Sequence, residues 1–483
     1  MAVAKRINLF IKNKNVETKE YTEVKDPGNF SEVVGLVAKG NVQHVDQAVQ
    51  SAHKAFLLWR KVDLDQRISL LLKSADRIEE EASLLAELVS KENGMLLNTT
   101  KAEITMAVSG IRNIAEIAES SLQSKQFEDE SSWVSVEKNP MGVIAGIVPW
   151  NAPMVLTMQK LAPAVVTGNT IVFKPSPFAP MGVTEALKKM AEFFPPGVIN
   201  IVHGDGDVGA ALTTHPHVRK ISFTGGGKTA RHVMRNAADY LKDIHFELGG
   251  NDPAIILDDA NLDEIMPKIV NSVFKRSGQY CYAIKRIYVP DNLYDSFYEK
   301  MVALTNEFKI GHQLNENSTF GPMNNLQQYH NVKNLIERIK ESKAMMVELG
   351  EQLEPDNWDN GYYLRPVIVR DVEPDQELVT CEQFGPVIPL IPYQTDEQVI
   401  GLANNTEYGL GSSIWSSDFD RSLQMARKIE AGMTFINGNG QTSLGYKNIP
   451  FGGIKQSGIG NENSEVVFDE FTDYHSINYH KSE

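Results

Sequence analysis

SFTGGGKTARH, from Ser222 to His232, is a glycine-rich turn followed by a lysine, a threonine and a helical run. Two nucleotide-binding architectures begin this way, and the fold depends on which one is present. A phosphate loop requires G-x-x-x-x-G-K-[ST]. Counting back from Gly227-Lys228-Thr229, its first glycine falls at position 222, which holds Ser222. A phosphate-loop ATPase is therefore the minor alternative. The glycines just upstream suit a different ligand. In VHGDGDVGAAL, Gly204, Gly206 and Gly209 have G-x-G-x-x-G spacing, after an expected strand and before an expected helix, as the dinucleotide fingerprint demands. The acidic residue that usually follows about 20 positions later to hold the ribose hydroxyls is missing, since that region reads RKISFTGGG. Alone, the match says only that a nucleotide-binding α/β sheet fits, and a tight strand-to-helix turn explains it equally.

Outward from these loops, short β-branched runs alternate with helical patterns. Strands are expected at 142–149, 170–176, 198–204, 220–225 and 244–250, and helices from Pro153 towards Val166 and over 180–194. Such alternation predicts a parallel sheet wrapped by helices on both faces, with ligands beyond the carboxyl ends of the strands. It resumes after Asn251 with strands at 253–259 and 286–290, a helix over 262–276 and another over 291–309 capped by Asp291, so a domain junction is expected near residue 250. The first 140 residues read as helix-rich, with apolar stripes at helical period.

The bulk composition narrows the functional classes. A chain of 483 residues exceeds one ordinary core, and two or three units of roughly 100–250 residues are expected. A net charge of −15, from 62 acidic against 47 basic residues, argues against general nucleic-acid binding. INLFI near the amino terminus is too short for a signal-peptide core, and MGVIAGIVPW falls short of a membrane span. The 2 cysteines, Cys281 and Cys381, cannot build a disulfide scaffold, so a reducing cytoplasm is expected. No His/Cys/Asp cluster has metal-ligand spacing, and HPH at 215–217 reads as a surface turn.

Three residues carry candidate chemistry. Cys281 lies in FKRSGQYCYAIKR, where Gly278 permits a turn and Lys285 and Arg286 could supply positive potential to a nucleophilic thiolate. An inert buried cysteine fits that context as well. Glu247 ends an apolar strand before Gly249-Gly250, so its carboxylate would project into a loop crevice as a general base, or form an ordinary salt bridge. Asn151, between Pro149 and Pro153, could donate its amide to an oxyanion or simply make a turn.

Taken together, the motifs resemble the NAD(P)-dependent aldehyde dehydrogenase family over nearly the whole chain. They are VPWNAP (148–153), FKPS (173–176), SFTG (222–225), FELGG (246–250), GQYC (278–281), EQFGPV (382–387) and PFGGIKQSGIG (450–460), in family order. The resemblance implies a Rossmann-like dinucleotide-binding domain (1–121 and 141–249), a second α/β catalytic domain (250–445) and a small β oligomerisation segment (122–140 and 461–483). It implies that Cys281 is the nucleophile, Glu247 the general base and Asn151 the oxyanion donor beside the Cys281 backbone N–H. The cofactor contacts it implies are Ile147, Pro149, Trp150, Lys174, Ser176, Pro177, Gly206, Phe223, Thr224, Gly225, Gly226, Leu248, Glu382 and Phe384. Glu382 would grip the nicotinamide ribose, Phe384 would pack near the nicotinamide, and Lys174 would serve the adenosine ribose.

The opening stretch then resembles the family's strand-to-helix loop, where backbone N–H groups and a helix dipole face a pyrophosphate, and Lys228 becomes a surface residue. This chain departs from the family by carrying Gly226 for a phosphate-binding Ser, Ala230 for a Gly, and Pro177 for the Glu that holds both adenine-ribose hydroxyls. NAD is favoured, with NADP possible because Pro177 removes repulsion toward a 2′-phosphate and Lys174 could attract one. The implied reaction is oxidation of an aldehyde to the acid through a thiohemiacetal and a thioester. A CoA-acylating relative is the alternative, and Glu247 favours water over that acceptor. Ala152, Val155, Leu156 and Gln159 would face a small-molecule aldehyde; Tyr280 and Tyr282 flank the thiol and Phe451 lies in the PFGG loop, which suits an aromatic or branched aldehyde, although packing explains these rings equally. A homodimer or homotetramer without metal, nucleic acid or membrane partners is expected.

Overall fold

The connection from Glu247 to Asp252 joins two parallel sheets with only four intervening residues, Leu248-Gly249-Gly250-Asn251. A computed structural model describes residues 5–440 and 442–481. The first four residues and the last two, which fall within the spans assigned above, lie outside the described residues, as does Gln441.

The first sheet has eight strands, in the order Gly458–Ile459, Asp243–Glu247, Val218–Thr224, Val143–Ile147, Thr170–Lys174, Ile199–Ile201, Leu9–Ile11 and Lys14–Val16. Its five central strands are parallel, and the strands beyond them on both sides run antiparallel. From Val143–Ile147 the chain winds outward one way through Thr170–Lys174. It then crosses back to Val218–Thr224 on the other side. The order reverses between Ile147 and Phe223, and such a reversal opens a crevice at the carboxyl edge. Register aligns that edge, with Thr224 opposite Glu247, Phe223 opposite Ile147, and Ile147 opposite Lys174. The strands are buried on both faces, between the helices Pro153–Val166 and Met181–Ala191 on one side and Val42–Trp59 and Gly227–Ala238 on the other.

The second sheet has seven strands and places Asp252–Ile256, Ile284–Pro290 and Val387–Tyr393 side by side and parallel. Gly249-Gly250, Cys281 and Glu382 each precede one of these neighbouring strands. The amino edge of the second sheet therefore faces the carboxyl edge of the first. Two separate apolar cores flank this sheet, one around Phe297, Met301 and Trp415, the other around Tyr288, Val332 and Ile414.

Strands Lys5–Ile7, Leu9–Ile11, Lys14–Val16, Tyr21–Asp26 and Asn29–Ala38 precede the first helix at Val42, and long helices fill the chain from there to Leu122, as the helix-rich reading expected. Other expectations are corrected. Asp291 does not cap a helix, because a 3-10 turn over Asp291–Leu293 precedes the helix Tyr294–Asn306 and Asp291 instead accepts from Gln394. The 461–483 segment is not strand throughout. Val466–Glu470 is helical, and Val467, Phe468 and Phe471 bury in the core of the first sheet, where apolar residues are drawn irrespective of chain position. Only Thr472–His480 extends, pairing with Ser132–Pro140 through nine residues, with Lys125–Glu128 on the far side. No helix among the described residues is long and apolar enough to cross a membrane.

Candidate active site

Between the two facing edges lies a cleft of about 460 Å³. Asn151, Glu247 and Cys281 all line it, although they come from three distant segments. So do Pro149, Trp150, Thr224, Gly225, Gly226, Leu248, Glu382 and Phe384. The other expected cofactor contacts are placed differently. Ile147 and Lys174 end neighbouring strands of the first sheet, so they extend the same row sideways. Pro177 lines a shallow hollow with Lys39, His203 and Asp205, and Ser176 sits beside it, its hydroxyl accepting from the Phe178 N–H at 3.3 Å. Gly206 begins the helix Gly206–Thr214 on the exposed side of that hollow, and Gly209 lies against the Lys174 stem. Phe223 is 4% exposed and its ring packs on Phe246 beneath the glycine turn, so a cofactor would meet its backbone.

The thiol is presented by a strained loop. Arg276, Ser277 and Gly278 adopt φ of 54°, 56° and 73°, a run of left-handed residues that L side chains disfavour. A Cβ on Gly278 would stand 2.3 Å from the Gly385 carbonyl. Side chains on both flanks hold the loop. Ser277 donates to the Gly321 carbonyl at 2.7 Å, and Gln279 accepts from the Asn324 N–H at 2.9 Å. Burial pushes the Cys281 thiol up to about 12. Lys285 opposes the shift, and the Glu247 and Asp252 carboxylates add to it. Lys285 is 3% exposed, donates to the Tyr280 carbonyl at 3.0 Å and to that of Cys281, and lies 3.4 Å from Glu382. Arg286 does not supply the positive potential expected of it. It is buried, and its guanidinium donates to the carbonyls of Asn251 and Ala403 instead.

Asn151 stands just before the helix Pro153–Val166, which begins with proline and lacks a side-chain cap of its own. Glu103, from a distant helix, fills that role by accepting from the N–H groups of Met154 at 2.8 Å and Val155 at 3.3 Å. A carboxylate is favoured there by the helix dipole. Arg276 completes the clamp, 3.1 Å from Glu103 and donating to the Asn151 carbonyl at 2.5 Å. A residue of the nucleophile loop thus also fixes the asparagine backbone.

Glu247 is 3% exposed, and neither of its carboxylate oxygens has a hydrogen-bond partner among the described residues. Burial raises its carboxyl well above the ordinary range, the nearby Glu462 raises it further, and Lys160 opposes them. Lys160 and Glu462 form a fully buried ion pair at 2.8 Å behind the base. Neither stood out in the sequence. A lysine in an otherwise apolar helix, in TMQKLAPAVV, was the available signal.

The glycine turn that opened the sequence reading ends on the helix Gly227–Ala238. Gly226 is its N-cap residue and supplies no side-chain cap, so first-turn N–H groups are left to face an anion. A Cβ on Gly226 would meet nothing within 4 Å, and Lys228 is exposed. On the opposite wall Glu382 accepts from the Gly250 N–H at 3.1 Å, and Trp150 packs edge-on to Phe384 with centroids 5.5 Å apart. Donors for a pyrophosphate, a carboxylate for ribose hydroxyls and an aromatic wall together fit a dinucleotide. No group of three metal-ligating side chains occurs among the described residues.

Comparison with known proteins agrees with this geometry. The model of the Aldehyde dehydrogenase family matches residues 13–477. The chain is 33% identical over 479 residues to human 2-aminomuconic semialdehyde dehydrogenase, covering 97% of each protein. It superposes on betaine aldehyde dehydrogenase from Staphylococcus aureus in complex with NAD+ with a TM-score of 0.93 at 28% identity, over 98% of this chain and 94% of that one. An NADP dependent enzyme of E. coli gives 0.93 at 30% identity, over 99% and 98% of the two chains.

Proposed function

The chain belongs to the aldehyde dehydrogenase family and oxidises an aldehyde to a carboxylate with NAD(P)+; from that premise we propose that Cys281, Glu247 and Asn151 perform the chemistry. The supporting observation is their convergence on one cleft, with Cys281 and Glu247 at the facing edges of two sheets.

In this reading the Cys281 thiol gives its proton to water in the open cleft, and the thiolate sulfur adds to the aldehyde carbon. Losing that proton is the main obstacle, because burial holds the thiol near 12 and Lys285 is the cation that opposes it. The oxyanion that forms accepts from the Asn151 side-chain amide and the Cys281 backbone N–H. Removing one such donor typically raises the barrier by ~3–4 kcal/mol. Asn151 cannot swing away, since Arg276 and the Glu103-capped helix hold its backbone. The bound nicotinamide supplies the hydride acceptor. Glu247, once ionised, takes a proton from water, and the hydroxide hydrolyses the thioester to release the acid.

For the cofactor, Gly225, Gly226 and the helix behind them would hold the pyrophosphate, and Glu382 the nicotinamide-side ribose. Lys174, with Ser176, Pro177 and Gly206 nearby, would line the adenosine end. NAD is the preferred dinucleotide in this reading. The carboxylates of Asp205 and Asp207 act on the buried Lys174, and Asp205 pairs with Lys39 at 3.2 Å, so a 2′-phosphate would meet acidic neighbours. The substrate class that fits best is an aromatic or branched aldehyde. Tyr280 and Tyr282 lie beside the thiol with ring centroids 4.2 Å apart and planes tilted by 53°, and a hollow of about 100 Å³ opens between them, Met106 and Tyr446.

We also assign residues 1–121 with 141–249 to cofactor binding and 250–445 to catalysis. The sheet built from Lys125–Glu128, Ser132–Pro140 and Thr472–His480 is assigned to pairing between subunits of a cytoplasmic dimer or tetramer. Its last strand exposes side chains along eight consecutive residues, Tyr474 and Tyr479 among them, a surface that an isolated chain would normally protect. An aldehyde panel followed by cofactor reduction, run with both dinucleotides, tests the whole reading. Aromatic or branched aldehydes with NAD should give the highest kcat/KM. A strong preference for NADP, or for short linear aldehydes, would overturn the cofactor or substrate assignment respectively.

A further inference from the structure

We infer that His245 is a positioning residue for the hydrolytic half-reaction, its neutral ring holding Glu247 through Nε2–H in both protonation states of the carboxyl group. The inference rests on Glu247 being the general base. His245 lies two residues before Glu247 on one strand, so both side chains project from the same face. Its ring is 1% exposed, and Nε2 lies 3.6 Å from Glu247 Oε1. That separation exceeds a hydrogen bond. Nevertheless Nε2 and both Glu247 oxygens are buried atoms with no partner among the described residues, and the terminal torsion of a glutamate is soft. A small rotation of the carboxylate brings the two unpartnered groups together.

The other ring nitrogen has what such a role requires. Nδ1 lies 3.3 Å from the Ser222 hydroxyl, directly across the strand pair, and 3.8 Å from Glu462 Oε1. A hydroxyl donates or accepts according to its rotor. When Glu247 is ionised, Ser222 donates to Nδ1 and Nε2–H donates to the carboxylate. When Glu247 has taken the proton from water on one oxygen, Nε2–H still donates to the other, the carbonyl oxygen of the acid, and no proton moves on the ring. One neutral ring therefore complements both states without importing charge.

The surroundings keep that ring neutral. Burial, then Lys160 and Lys220, lower the His245 pKa well below its ordinary value. Lys160 is paired with Glu462, and Lys220 with Asp243 and with Glu470 at 3.0 Å, so apart from Glu247 each charged group packed around the imidazole already has its own counter-ion. Gly460, with φ of 84°, lets the chain cross the ring edge, where a Cβ would come within 2.7 Å of His245 Cδ2. The ring is thus confined at its Cδ2 edge.

The test uses p-nitrophenyl acetate with the cofactor-free protein. The burst of nitrophenol reports acylation of Cys281, and the steady rate reports Glu247-assisted deacylation. Loss of a donor to the carboxylate should move the pH limb of deacylation upward. We expect His245→Leu to shift it by about one pH unit, a tenfold loss on the acid side, with an unchanged burst. His245→Gln, whose amide presents either N–H or C=O, should restore most of the limb. Ser222→Ala should shift it in the same direction by less, and it decides the matter if the Leu variant does not fold. A Leu limb coincident with wild type overturns the inference, as does equal slowing of Leu and Gln at every pH. For Ser222→Ala, an unmoved limb does so too. Absence of any burst in the unaltered protein would instead remove Cys281 from its assigned role.

Discussion

The two walls around Glu247 are built on opposite principles. In front, the cleft is made from strand ends, glycine turns and backbone N–H groups, and it is open to solvent. Behind, Lys160, Glu462, Lys220, Glu470 and His245 form a closed set of ionisable side chains, most of them wholly buried. The front is designed for a ligand that enters and leaves, so its interactions are replaceable by water. The rear excludes water, so each charge depends on a specific partner, and losing one leaves the other stranded.

This contrast sets the order of expected effects. Cys281→Ala in the front wall should lower turnover on the order of 10⁴-fold or more, since no other group can form the thioester. Cofactor reduction followed at saturating aldehyde checks this, and substantial residual turnover would end the assignment. Glu247→Gln, at the boundary, should leave one rapid burst of reduced cofactor and slow the steady rate by roughly 10²–10⁴. A stopped-flow trace without a burst, where hydride transfer is otherwise intact, would take Glu247 out of the hydrolytic role. With Glu247 in place, its raised pKa means that the ionised base is lost already at pH values where an ordinary glutamate would stay charged. The steady rate should therefore fall, as pH is lowered, well above the usual carboxylate range.

Lys160→Met tests the rear wall alone. It leaves Glu462 buried without its cation, a change that typically costs about 3–5 kcal/mol, so denaturant unfolding should shift markedly. A midpoint equal to wild type would show that water reaches this wall. Gly249→Ala returns to the front and should do least. The new Cβ would stand 2.0 Å from a Glu382 carboxylate oxygen, at the far end of a flexible side chain that can move aside. Dinucleotide affinity should weaken by about tenfold, or ~1.4 kcal/mol, with folding unaffected. Unchanged affinity by fluorescence titration would mean that Glu382 binds in another rotamer.

The same contrast explains what could be read from residue order. Strand ends and glycine turns are local, so Glu247, the 222–226 turn and the loop around Cys281 carried their meaning within a few neighbours. At position 223 the motif marks a backbone course, while the Phe223 ring serves the core. The rear wall was illegible for a different reason. Lys160 meets Glu462 across 302 positions, and Gly460 approaches His245 only because Gly458–Ile459 adds an edge strand to the first sheet. Asp291 failed as a cap through local competition from a 3-10 turn, and the first three amino-terminal strands span only three residues each, too few for alternation to register. Arg286 looked like a partner for the thiol by adjacency in sequence, but on a strand adjacent residues point to opposite faces.

The buried pairs also decide what can be cut. The carboxylates that neutralise Lys160 and Lys220 arrive from positions 462 and 470, and the Asn169 amide donates to the Phe471 carbonyl at 2.7 Å. A fragment ending near residue 250 would retain every parallel strand of the first sheet yet leave two interior ammonium groups with no anion from the tail. The amino-terminal half is therefore not a detachable module, and a truncated or split version should be insoluble unless the last stretch of chain is supplied alongside it.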